Sequence, residues 1–106
     1  MKTPEALAAL TALAQGTRLA IFRKLVGAGP EGLTAGRIGT AVKAAPATLS
    51  FHLKELSRAG LVVASQEGRF VRYTANFMAM NELIDYLSAH CCSGDRAACQ
   101  PNRSTP

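Results

Sequence analysis

The chain has 106 residues, 48% of them hydrophobic, with twelve basic against seven acidic side chains and a net charge of +5. At this length folding buries only about 60–70% of the chain's surface, which allows one domain with a modest core and favours a partner subunit. The apolar content excludes wholesale disorder, no run approaches the ~18 consecutive apolar residues of a membrane span, and the absence of tryptophan or a long roofing loop argues against an enzyme with a small organic substrate or a catalytic cofactor.

The chain opens on Thr3-Pro4-Glu5, which predicts a helix start with Thr3 as cap, Pro4 in the first turn and an acid at the positive end of the dipole. No cleavage pattern follows, so the expectation is a cytoplasmic protein without a signal peptide. Leu7, Leu10, Leu13 and Ala14 mark an apolar stripe for this first helix. Gly16-Thr17 breaks and recaps, and Leu19, Phe22, Leu25 and Val26 repeat at helical spacing until Gly27-Ala28-Gly29-Pro30 stops the second helix. Thr34 caps a short third helix with Ile38 and Val42 inward. Ala44-Ala45 reads as a turn, and Pro46 opens a fourth helix whose core stripe is Leu49, Leu53 and Leu56, ended by Gly60. There the apolar period changes from 3.6 to 2. Leu61–Gln66 and Arg69–Thr74 read as two strands around Glu67-Gly68. Asn76 caps a last helix with Phe77, Met80, Leu83, Ile84 and Leu87 on one face, and the remainder from Ser93 is rich in Ser, Gly, Pro, Asn and Arg. The order α-α-α-α-β-β-α is mainly helical with a β-hairpin wing, a winged helix-turn-helix. Residues 1–90 are expected to form this one domain, and residues 91–106 a cysteine-containing tail.

Charge follows the same division. Between Thr17 and Thr74 nine basic residues face three acids, whereas residues 1–16 are balanced and 75–106 carry a net −1. A basic middle points to a polyanion held by that segment alone. In a winged helix-turn-helix the fourth helix enters the major groove, N-terminal end first. Its expected outward positions are Ala47, Thr48, Ser50, Phe51, His52, Lys54 and Glu55. Thr48 and Ser50 offer hydroxyls for phosphate or base edges, or simply cap the helix. His52, four residues after Thr48, can donate to a phosphate or base, and Lys54 is a point charge for the backbone. Arg69 at the hairpin tip and Arg72 in its second strand suit phosphates or an adjacent minor groove. The expected DNA-binding set is therefore Ala47, Thr48, Ser50, Phe51, His52, Lys54, Arg69 and Arg72.

Four segments together resemble the ArsR/SmtB family of metal-responsive repressors. They are Thr17–Leu25, Ala47–Leu56 with its Ser50-Phe51-His52-Leu53, Ala59-Gly60-Leu61-Val62, and Gly68–Tyr73 with its Gly-Arg-x-x-x-Tyr. The resemblance spans about residues 4–89. It implies a homodimer joined through the first and last helices, bound to a pseudo-palindromic operator with recognition helices about 34 Å apart, and repressing until an inducer arrives. Three features depart from the family pattern. Gln15-Gly16 stands where Asp-Pro is common, the third helix carries Thr34–Ile38 in place of a Cys-x-Cys, and the last helix has only Asp85 and His90 where zinc sensors pair histidines and acids.

The inducer site expected for this chain is instead Cys91, Cys92 and Cys99, its three cysteines. Adjacent Cα atoms lie 3.8 Å apart, shorter than the usual disulfide span, so Cys91 and Cys92 suit a shared third body better than each other. A sulfur-only set favours a thiophilic ion. Three ligands suit As(III) or Sb(III), whose lone pair fills the remaining direction, and the resemblance extends to a branch with a vicinal cysteine pair and a nearby third cysteine that responds to arsenite. Recruiting His90 would make a four-ligand zinc or cadmium site. Control by thiol oxidation, and a small metalloid-binding thiol protein without DNA function, are the remaining alternatives.

Overall fold

In the computed structural model, which describes residues 1–94, five helices enclose one core and a three-stranded sheet covers one side of it. Helix α1 is Thr3–Leu13, α2 Gly16–Ala28, α3 Ala35–Val42, α4 Pro46–Arg58 and α5 Phe77–Ser88. Strand β1 is Leu33–Thr34, β2 Val62–Glu67 and β3 Phe70–Ala75, in the sheet order β1-β3-β2 and antiparallel throughout. The winged helix-turn-helix expectation is met.

Helix α1 starts one residue earlier than expected, so Lys2 is the cap, and its N–H donates to the Glu5 carboxylate at 2.7 Å. Its buried face is Ala6, Ala9 and Ala12, whereas Leu7 and Leu10 lie outside. The expected leucine stripe is thus corrected. The helix is apolar almost all round, and small side chains let its backbone approach α2 and α4 closely. The cap of α2 is Gln15 rather than Thr17: its side-chain oxygen accepts from the Arg18 N–H at 2.8 Å. Ile21, Phe22 and Leu25 turn inward, and Leu19 is 44% exposed.

Helix α4 ends in the Schellman pattern. Ala59 is the cap, Gly60 has φ +79°, the Gly60 N–H donates to the Ser57 carbonyl, and the Leu61 N–H reaches back to that of Leu56. Leu56 and Leu61 are both fully buried, which closes the motif against the core. Asn76 staples this corner to α5. Its side chain caps α5 through the Ala79 N–H at 3.1 Å and donates to the Gly60 carbonyl at 2.9 Å.

The wing differs from expectation in two ways. Its two-residue turn is Gly68-Arg69, one position later, because Glu67 pairs with Phe70. A short extra strand, β1, pairs Leu33 with Tyr73 and Thr34 with Arg72. Gly32 makes this possible: it has φ +65°, and a Cβ there would sit 2.1 Å from the Tyr73 carbonyl oxygen. The wing is thereby tied to the helical body instead of hanging from it.

Candidate DNA interface and cysteine pair

The candidate recognition surface lies on α4, whose first turn is exposed. Pro46 begins the helix after Ala45, and no side chain caps it. Thr48 and Ser50 are exposed, and among the described residues neither hydroxyl makes a hydrogen bond. The capping alternative for these two residues is not what the structure adopts. Ala47, Phe51 and Lys54 are also exposed, Phe51 at 56%. Unsatisfied backbone N–H groups and the positive helix end together favour a phosphate at the start of α4. Glu55 is turned away into an ion pair with Arg58 at 3.3 Å.

The turn preceding α4 is set by sterics. A Cβ on Gly39 would lie 3.3 Å from both the Ala44 carbonyl oxygen and a Leu49 methyl, so a glycine in α3 lets the two helices meet closely. Lys43 caps α3 in the left-handed region with φ 56° and is exposed. It lines the same cleft as Ser50 at the start of α4. Sequence reasoning counted Lys43 only as charge; its place between two helices, three residues before Pro46, was the available signal.

His52 is not on this surface. It is only 7% exposed, and Arg18 Nη1 lies 3.3 Å from its Nδ1. The expected outward position is corrected, and the signal was present: residues 49, 52, 53 and 56 are the i, i+3, i+4, i+7 set of one buried helix face. Its ring meets Phe51 edge-on, with centroids 5.5 Å apart.

The two wing arginines separate. Arg69 sits exposed in the turn, with no side-chain hydrogen bond or ion pair among the described residues. Arg72 is half-buried. Its Nε donates to the Glu67 carboxylate at 3.0 Å and its Nη1 to the Glu31 carbonyl at 3.2 Å. Its guanidinium thus joins the wing to the turn after α2, and a phosphate contact there would have to share or displace these partners.

Beyond α5 the chain turns over Cys91–Gly94, with Cys92 and Ser93 in the left-handed region at φ 51° and 55°. Cys91 and Cys92 are both exposed, with their sulfurs 3.7 Å apart. Two thiolates bound at about 2.3 Å to a tetrahedral ion such as zinc span about 3.7–3.8 Å, and a pyramidal three-coordinate ion draws its sulfurs somewhat closer, so the adjacent pair can reach one thiophilic centre with little movement. Cys99 lies outside the described residues. Among the described residues, no three His, Cys, Asp or Glu side chains gather in a metal-holding group, and no helix is long and apolar enough to cross a membrane.

A family model for a helix-turn-helix domain matches residues 13–63, the stretch from the end of α1 into β2. No curated protein sequence matches the chain. Among solved structures, an ArsR-like transcriptional regulator from Rhodococcus sp. RHA1 is 27% identical, with 96% of each chain covered and a TM-score of 0.73. Reduced HlyU from Vibrio cholerae is 30% identical over 82% of this chain and 92% of that one, with a TM-score of 0.64. A homodimeric winged helix-turn-helix DNA-binding domain from Mycobacterium bovis, described as a possible ArsR-family regulator, is 26% identical over 83% and 86%, with a TM-score of 0.63. With an exposed fourth helix, a tethered basic wing, the helix-turn-helix match and likenesses covering 82–96% of its length, the chain belongs to the ArsR/SmtB-type family of DNA-binding transcriptional regulators.

Proposed function

We propose that the chain is a homodimeric repressor that leaves a pseudo-palindromic operator when As(III), or the similar Sb(III), is bound by Cys91, Cys92 and Cys99. The observation carrying this reading is the exposed thiol pair, with sulfurs 3.7 Å apart immediately after α5. Each thiol proton leaves with one hydroxide of arsenous acid, so three sulfurs bind one arsenic and release three waters. Dimerisation through α1 and α5 is supported by their outward apolar residues Leu7, Leu10, Ile84 and Leu87, and by the homodimeric Mycobacterium bovis relative. Two recognition helices related by a two-fold axis then read adjacent major grooves. For release, the metalloid must bind the DNA-incompetent arrangement more tightly, with a coupling of about 1–3 kcal/mol.

The test is fluorescence anisotropy of the reduced protein on DNA from upstream of its gene, titrated with arsenite and, separately, with zinc. Release by arsenite but not zinc is expected. Cys99→Ser should bind the same DNA and no longer release it; a variant that releases at unchanged arsenite concentration removes Cys99 from the site. A second reading, control by thiol oxidation, is favoured by the exposure of both thiols and by the likeness to a regulator solved in a reduced form. Release by peroxide without metalloid would select it.

A further inference from the structure

The buried contact between Arg18 and His52 joins parts of the chain 34 residues apart and is not explained by DNA contact. His52 is the one buried polar side chain among the described residues, and it lies in the middle of the recognition helix. A guanidinium has donors and no acceptor. Nδ1 of His52 must therefore be the unprotonated, accepting nitrogen, with the ring proton on Nε2. The same guanidinium donates through Nε to the Ala12 carbonyl at 2.7 Å, in the last turn of α1, while the Arg18 N–H is held by Gln15. One planar group thus spans α1, the start of α2 and the centre of α4. Its fork fixes direction as well as distance.

We propose that Arg18 and His52 form a joint that sets the rotation of α4 about its own axis, so that His52 governs DNA binding as a positioning residue without touching DNA. Leu49, Leu53 and Leu56 hold α4 to the core by apolar burial, which has no directional preference. The hydrogen bond from Arg18 supplies the direction. Ser50 and Phe51 immediately precede His52, and Lys54 follows two residues later, so a small rotation at His52 moves the whole outward face relative to a base edge. The inference rests on the reading that α4 enters DNA.

The experiment compares side chains that place an acceptor at different points. The amide oxygen of Asn can occupy the place of Nδ1, whereas the longer Gln reaches toward that of Nε2. His52→Asn, His52→Gln and His52→Leu are titrated by anisotropy on one upstream duplex, with far-UV circular dichroism and melting temperature recorded for each. The Asn variant is expected to bind within about threefold of wild type, and the Gln and Leu variants about tenfold more weakly or worse. Arg18→Lys, which keeps charge and loses the fork, should weaken binding similarly, and its combination with His52→Leu should add nothing further. Wild-type affinity for Gln with loss for Asn would make His52 a direct donor to DNA and overturn the proposal. Equal affinity for all variants, or equal loss for Asn and Leu, would overturn it as well. Nitrogen-15 NMR of the wild-type His52 ring tests the joint without DNA or substitution: a proton on Nδ1 would sink it. If the wild type itself ignores DNA, the regulator reading fails, and the ring measurement still decides the joint.

Discussion

Around the helix-turn-helix unit, Ile21, Leu25, Ile38, Leu56 and Leu61 are essentially removed from solvent, whereas on the outer faces of α1 and α5 Leu7, Met78, Ile84 and Leu87 remain more than half exposed. Fully burying such a side chain is worth about 1.5–3 kcal/mol. The first region takes that stabilisation within one chain, and the second does not. An apolar groove of about 480 Å³ between α2 and α5, lined by Leu19, Phe22, Val26, Leu83 and Leu87, extends the second region inward. The difference is what the proposed dimer requires: a helix-turn-helix half buried within one chain, beside outer faces of α1 and α5 whose apolar residues are left uncovered.

The largest expected effect breaks the inner region. Leu56→Ala should lower unfolding free energy by about 2–5 kcal/mol in denaturant titration, because Leu56 is the fully buried residue of α4 that packs in the Schellman corner. Gly32→Ala should cost about 2–4 kcal/mol, since its backbone needs φ +65° and its Cβ would strike the Tyr73 carbonyl. A Gly32→Ala protein as stable as wild type would show that β1 does not anchor the wing.

Leu87→Asp sharpens the contrast from the other side. It should leave far-UV circular dichroism unchanged, shift sedimentation toward monomer, and weaken operator binding about tenfold or more. An Asp variant that stays dimeric would move the interface away from α5. The smallest effects separate the wing arginines. Arg72→Ala should lose about 0.5 kcal/mol of stability, because its ion pair with Glu67 is largely solvated. Arg69→Ala should leave stability unchanged and reduce the salt slope of DNA binding by about one. If the two variants behave alike, the division between a tether and a phosphate contact fails.

Much of the fold was legible in the residues. Pro46 and Gly60 bracket α4, Asn76 caps α5, and the period change after Gly60 announces a hairpin; each is a local signal with a local cause. The exposed positions Thr48, Ser50, Phe51 and Lys54 and the wing-tip Arg69 could be found the same way, because they stand out from a helix face or a turn. The thiol pair was visible as two adjacent residues. Legibility failed where two segments had to meet. Strand β1 is two residues long and exists only because β3 lies beside it.

The sequence by itself determined the order of the five helices and the hairpin, the bounds of α4, the Asn76 cap, the charge asymmetry and the cysteine cluster, since those follow from periodicity, backbone preferences and composition. Only the tertiary structure decided which face of α1 is the core face, that His52 turns inward to Arg18, and that Arg72 clamps the wing. The physical reason is common to all three. An apolar-all-round helix, an imidazole and a guanidinium are each compatible with burial or with solvent, and the choice depends on the shape and hydrogen-bonding groups of a neighbour distant in the chain.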